Sequence, residues 1–159
     1  MPEPQRRFGL TLPVPVLSLP EHRQLIEELP DAGYTDVWTG EASGADAFTP
    51  LVLAAAWSDT LRLGTAIVPV HTRGPAVIAQ HAAALAELAP GRVVLGVGSS
   101  GPAFVTAFNG IPFSEPYRRV RDTLRFLRGA LDGDYVTGDF DTFSIGGFQL
   151  GRPPAVPPP

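Results

Sequence analysis

The chain has no cysteine in its 159 residues. That absence excludes disulfides, thiolate catalysis and cysteine-based metal sites together. Lysine is also missing. All twelve basic residues are arginine, which we read as base-composition bias, and the net charge is only −4. No basic patch stands out, so nucleic acid is not an expected partner. The arginines at 118–128 read as a solvated helix face. No run approaches the ~20 apolar residues that span a bilayer. His22, His71 and His81 lack a metal-ligand spacing, so no metal is expected. Nothing resembles a Ser/His/Asp motif for nucleophilic catalysis.

The chain does have recurrent apolar runs, which argue against disorder. The length suits one domain with a sizeable core. Arg6-Arg7 followed by Phe8–Leu19 imitates a twin-arginine signal. Pro13, Pro15 and Pro20 interrupt or bound that stretch, and no small-x-small cleavage site follows, so it reads as a first strand of a cytoplasmic protein.

A four-fold alternation follows. Phe8–Leu12 is an apolar strand. Ser18 and Glu21 have the spacing of a capping box, and Leu25, Ile26 and Leu29 follow at helical spacing. Pro30 and Gly33 end that helix. Tyr34–Trp38 is the second strand, and Thr49-Pro50 opens a helix through Trp57. Leu61–Val68 is the third strand, with a helix from Pro75 to Leu88. Arg92–Val97 is the fourth strand, a long loop follows it, and a helix runs from Pro116 to Leu131. Such βα alternation predicts parallel strands with right-handed crossovers. The tail differs. Residues 134–151 alternate and carry Gly and Asp, which predicts a β-hairpin over one mouth of the fold. Residues 152–159 are a proline-rich tail.

The glycines of Gly96-Val-Gly98-Ser99-Ser100-Gly101 satisfy G-x-G-x-x-G. A dinucleotide-binding motif opens a helix at the first βα turn. Here three βα units come first and Pro102 follows, so an NAD-binding reading is disfavoured. The glycines predict either close approach of a ligand or a plain tight turn. His71 lies just past the third strand, where it can orient a substrate or donate a proton, or be a half-exposed loop residue.

Four stretches resemble the luciferase-like family, in particular its branch that uses the deazaflavin F420. They are Gly33–Glu41, Leu61–Pro75, Pro90–Ser100 and Asn109–Asp122, in matching order and spacing. The resemblance implies an α/β fold, the TIM (β/α)₈-type barrel, of which residues 1–133 supply an N-terminal half-barrel of about four βα units. The tail would lead to a missing fifth strand. The open edges of such a half imply a truncated fragment, a relic, or association with another chain or as a homo-oligomer. The implied activity is hydride transfer between F420 and a small organic substrate, with FMN-dependent monooxygenation or a non-catalytic half-barrel as alternatives. The implied cofactor-binding residues are Gly40, Glu41, Ala66, Ile67, Gly98, Ser99 and Ser100, with a non-prolyl cis peptide at Ala66–Ile67. Glu41 and His71 are the candidate catalytic groups. Glu41 can equally be a loop carboxylate that caps the next helix.

Overall fold

Proline and glycine punctuate this chain where the backbone changes direction. In the computed structural model, which describes residues 6–159, three of the four α-helices carry proline in their first turn. Proline there needs no amide partner and presets a helical φ. The helices are α1 (His22–Glu28), α2 (Thr49–Trp57), α3 (Pro75–Leu88) and α4 (Pro116–Asp132). Gly33 and Gly133 follow α1 and α4 in the left-handed conformation.

Four parallel strands form the sheet in sequential order: β1 (Gly9–Leu12), β2 (Asp36–Thr39), β3 (Arg62–Thr65) and β5 (Val93–Val94). Each strand lies beside its predecessor, the order of a barrel wall. A dinucleotide fold would place its fourth strand back beside the first. The third and fourth strands are each broken once. Past Ala66–Ile67 the third resumes as β4 (Val68–Pro69), and past Leu95–Gly96 the fourth resumes as β6 (Val97–Gly98). β4 and β6 pair with each other in parallel.

Burial follows the strand period of two. Leu12, Val37, Leu63 and Val93 point to the helices and are nearly or fully buried. There they meet Ile26 of α1, Leu51 and Ala54 of α2, and Ile78, Ala82 and Leu85 of α3. Small alanines on α2 and α3 let those helices lie close to the sheet. The other side of the strands carries Gly9, Thr11, Asp36, Trp38, Arg62 and Gly64. Asp36 is buried there, and it accepts hydrogen bonds from Thr35, Arg7 and Arg62.

The tail forms an antiparallel hairpin of β7 (Val136–Asp139) and β8 (Ser144–Phe148). It lies along α4 and not over the mouth of the sheet as its sequence suggested. Phe126 of α4 packs against Phe140 and Phe148. Asp122, fully buried, accepts from the amide and hydroxyl of Thr142. The apolar alternation of the hairpin is therefore spent on the outer helix. Pro159 ends beside the fourth strand, where its carbonyl accepts from the Leu95 amide at 3.3 Å. Among the described residues no helix is long and apolar enough to cross a membrane.

Candidate functional site

The carboxyl ends of the strands converge on one mouth, where parallel barrel-type sheets carry their ligands. Gly40 and Glu41 follow β2 directly. The Ala66–Ile67 peptide is cis, as the resemblance implied, and it lies between β3 and β4. Gly98 ends β6, and Ser99 and Ser100 follow it.

Glycine is required around that break for a spatial reason. A Cβ at Gly40 would sit 3.1 Å from the Ala66 carbonyl oxygen. One at Gly96 would overlap the Thr65 carbonyl oxygen. One at Gly98 would lie 3.0 Å and 3.2 Å from Cγ1 and Cδ1 of Ile67. Thr65 Oγ1 locks the same junction: it donates to the Gly96 carbonyl at 2.8 Å and accepts from the Gly96 amide at 2.9 Å. The first two glycines of the G-x-G-x-x-G string are thus set by packing against the third strand. The result is a floor of Gly40, Ala66, Ile67 and Gly98 from which little side chain projects. Ala66 is exposed on it. Ser100 stands at its rim with φ of 57°, a left-handed conformation unusual for a residue with a side chain.

Glu41 does not stand free at this rim. Arg73 donates to it through Nε, at 3.1 Å and 2.9 Å to its two oxygens, and through Nη2 at 2.7 Å. The Ala47 amide donates to the same carboxylate at 3.1 Å. Glu41 thereby ties the β2–α2 loop to the segment after β4. The helix-capping work in that loop falls to Asp46, whose Oδ1 accepts from the amides of Phe48 and Thr49. Burial opposes ionisation of Asp46. Hydrogen bonds from Thr49 and Phe48, with the nearby Arg73 charge, outweigh it and lower the pKa. The hydrogen bonds to Glu41 hold the Arg73 pKa above its ordinary value against partial burial. The Arg73 guanidinium also lies 5.5 Å from the centre of the Phe48 ring.

His71 is not the half-exposed loop residue that its sequence position allowed. Its ring is only 6% exposed. Nε2 donates to the Ser114 carbonyl at 3.0 Å, and the ring packs on Phe113 with centres 5.0 Å apart. Nδ1 is buried without a hydrogen-bond partner. The sequence separates these residues by more than forty positions, so nothing local signalled the contact. His71 secures the loop before α4 to the end of the third strand.

The structure adds three features around the mouth, of which only the structural role of His22 in an outer helix was expected from the sequence. The Leu12–Pro13 peptide is cis. His22 is buried and staples the loop after β1, accepting from the Val14 amide at 2.7 Å and donating to the Ser18 carbonyl at 2.8 Å. The stretch after Ser100, read as plain loop, holds a π-helix at Ala103–Phe108. Such helices are rare and recur at functional sites. Proline at 102, a helix-start residue, was the available signal. Among the described residues no group of three or more His, Asp or Glu is placed to hold a metal ion.

Known proteins share the sequence or the fold of this chain. A 5,10-methylenetetrahydromethanopterin reductase of Methanolobus tindarius is 30% identical over 86% of this chain and 41% of its own. The coenzyme F420-dependent tetrahydromethanopterin reductase of Methanopyrus kandleri superposes with a TM-score of 0.80 at 22% identity, over 92% of this chain and 46% of that one. The oxygenating constituent of 3,6-diketocamphane monooxygenase from Pseudomonas putida, in complex with FMN, superposes with a TM-score of 0.73 at 14% identity, over 91% and 44%. The chain spans less than half the length of each of these proteins. The family profile described as luciferase-like monooxygenase matches residues 5–159. This chain belongs to the luciferase-like monooxygenase family.

Proposed function

We propose that this mouth binds the ring of coenzyme F420 and serves an oxidoreductase that acts on a small organic substrate. The observation that carries the reading is the glycine-lined floor. Gly40, Gly96 and Gly98 are kept free of side chains by close contacts with the third strand. A planar tricyclic ring can lie on such a surface without displacing side chains. When bound, the deazaflavin supplies the hydride chemistry, and the protein supplies orientation and shielding. Gly40, Ala66, Ile67 and Gly98 would hold the ring face. Ser99 and Ser100 would offer amides and hydroxyls at its edge. Glu41 and His71 act as positioning residues: Glu41 fixes the β2–α2 loop through Arg73, and His71 fixes the loop before α4.

The F420 branch is favoured because a Mycobacterium tuberculosis protein described as a coenzyme F420-dependent oxidoreductase is 37% identical over 67% of this chain. A second reading, FMN-dependent monooxygenation, is favoured by the shared fold of the FMN-bound monooxygenase. Titrating the folded 159-residue chain separately with F420 and FMN, read by amide chemical shifts, distinguishes the two. Shifts at Gly40, Ala66 and Gly98–Ser100 are expected with F420 at lower concentration than with FMN. Tighter FMN binding would favour the second reading, and a folded chain unmoved by either would sink both.

A further inference from the structure

The π-helix leaves two phenyl rings turned toward the mouth, and its own polar groups are already satisfied. The Asn109 side chain donates to the Phe104 carbonyl at 2.6 Å, and Thr106 Oγ1 donates to the Ile111 carbonyl at 3.0 Å. Val105 is fully buried and anchors the segment. Phe104 and Phe108 meet edge to face with centres 6.2 Å apart, and Phe108 is 65% exposed. With the loop that carries Glu41 and Asp46, and with Arg73, they line an open surface groove of about 380 Å³. Chain continuity sets this groove directly beside the floor: Glu41 follows Gly40, and the π-helix begins three residues after Ser100.

The groove has a defined chemistry. One wall is aromatic, with an edge-to-face pair that leaves ring surface open to a third ring. The other wall holds two carboxylates against one guanidinium, an excess of one negative charge. Arg73 bonds to Glu41 and also lies 3.5 Å from Asp46, so one guanidinium is shared by two carboxylates, and the Asp46 side chain remains 37% exposed. Hydrogen bonds that lower the Asp46 pKa keep it ionised at neutral pH.

We infer that Phe104, Phe108 and Asp46 form a substrate groove selective for a flat aromatic group bearing a cationic or strongly hydrogen-bond-donating substituent. This rests on the reading that the adjoining floor holds the cofactor ring, and it names the class of substrate for that site. The aromatic pair receives the ring, and Asp46 receives the positive end.

Three small probes test it on the isotopically labelled 159-residue chain by amide shift titration: benzylamine, benzoate and cyclohexylmethylamine. Benzylamine is expected to shift residues 41–46 and 103–109, to bind about fivefold more tightly than cyclohexylmethylamine, the size of one aromatic contact, and more tightly than benzoate because of its charge. Phe104→Leu with Phe108→Leu should bring benzylamine down to cyclohexylmethylamine. Asp46→Asn, which keeps an oxygen acceptor for the Phe48 and Thr49 amides, should erase the preference over benzoate and leave the aromatic preference. Equal binding of the three probes overturns the inference. So do shifts centred elsewhere, or a ranking unchanged in variants that retain the native amide spectrum. Failure of F420 to bind while benzylamine selectivity persists would overturn the cofactor reading alone; the reverse result would overturn only the substrate groove.

Discussion

Leu63 and Gly64 are neighbours in β3 and face opposite sides of one sheet. Leu63 points to the helices and is completely buried among Val37, Leu51 and Ile78. Gly64 points to the concave side, where the Trp38 ring lies flat over it and reaches Gly9 across the strands. On the helix side, stability comes from filled volume. On the concave side, the backbone is kept bare so that one large ring can cover three strands. The Arg62 guanidinium then sits 5.6 Å from the centre of that ring. Toward the mouth the bareness continues through Gly40, Gly96 and Gly98, but there the covering surface is left for a ligand.

Removing volume and adding volume should therefore do unequal harm at these two positions. Leu63→Ala leaves a cavity in a region with no slack, and we expect it to cost about 3 kcal/mol of unfolding free energy. Gly64→Ala drives a methyl group into the Trp38 ring. The ring faces a half-open side and can tilt, so the expected cost is about 1–2 kcal/mol. Denaturant unfolding of both variants measures the difference. Adding Trp38→Phe to Gly64→Ala should recover part of the loss, because the smaller ring no longer reaches the new methyl. If Gly64→Ala costs more than Leu63→Ala, the concave side is packed as rigidly as the core and the contrast fails.

The same contrast explains what the sequence could reveal. The helix side was legible because volume and period are local properties. The helix starts at Thr49-Pro50, Pro75 and Pro116 fall where the prolines place them. The strands were located, but their breaks at Ala66–Ile67 and Leu95–Gly96 were not visible in their continuous apolar character. The mouth depends on contacts between distant residues. Gly96 needs to be glycine because of Thr65, thirty-one residues earlier. Glu41 is held by Arg73, thirty-two residues later. No window of sequence holds both partners, so the glycine string read as a place for close ligand approach or a plain tight turn, and Glu41 as a ring-facing or helix-capping carboxylate. The cis Ala66–Ile67 peptide came from the family resemblance alone. The hairpin was legible as a hairpin, but its seat on α4 depends on Phe126 and Asp122, which belong to another element.

The smallest expected effect concerns Ser100, where the two rules meet at the rim. Its φ of 57° places a side chain in a region that costs an L-residue about 1–2 kcal/mol. Glycine adopts that conformation freely but loses more chain entropy on folding, by roughly 0.5–1 kcal/mol. Ser100→Gly should therefore raise stability only slightly, by about 0.5 kcal/mol. In the folded protein the Ser99 hydroxyl donates to the Ser100 carbonyl at 3.1 Å, so the backbone there keeps a partner after the change. What the variant loses is the Ser100 hydroxyl. A serine kept in a conformation that glycine fits better points to a use for that hydroxyl at the rim. F420 titration of Ser100→Gly should then show weaker binding in a slightly more stable protein. A loss of stability would mean that the surrounding loop already favours this conformation for serine. Unchanged F420 affinity would remove Ser100 from the ring's edge and leave the floor of Gly40, Ala66, Ile67 and Gly98 to hold it alone.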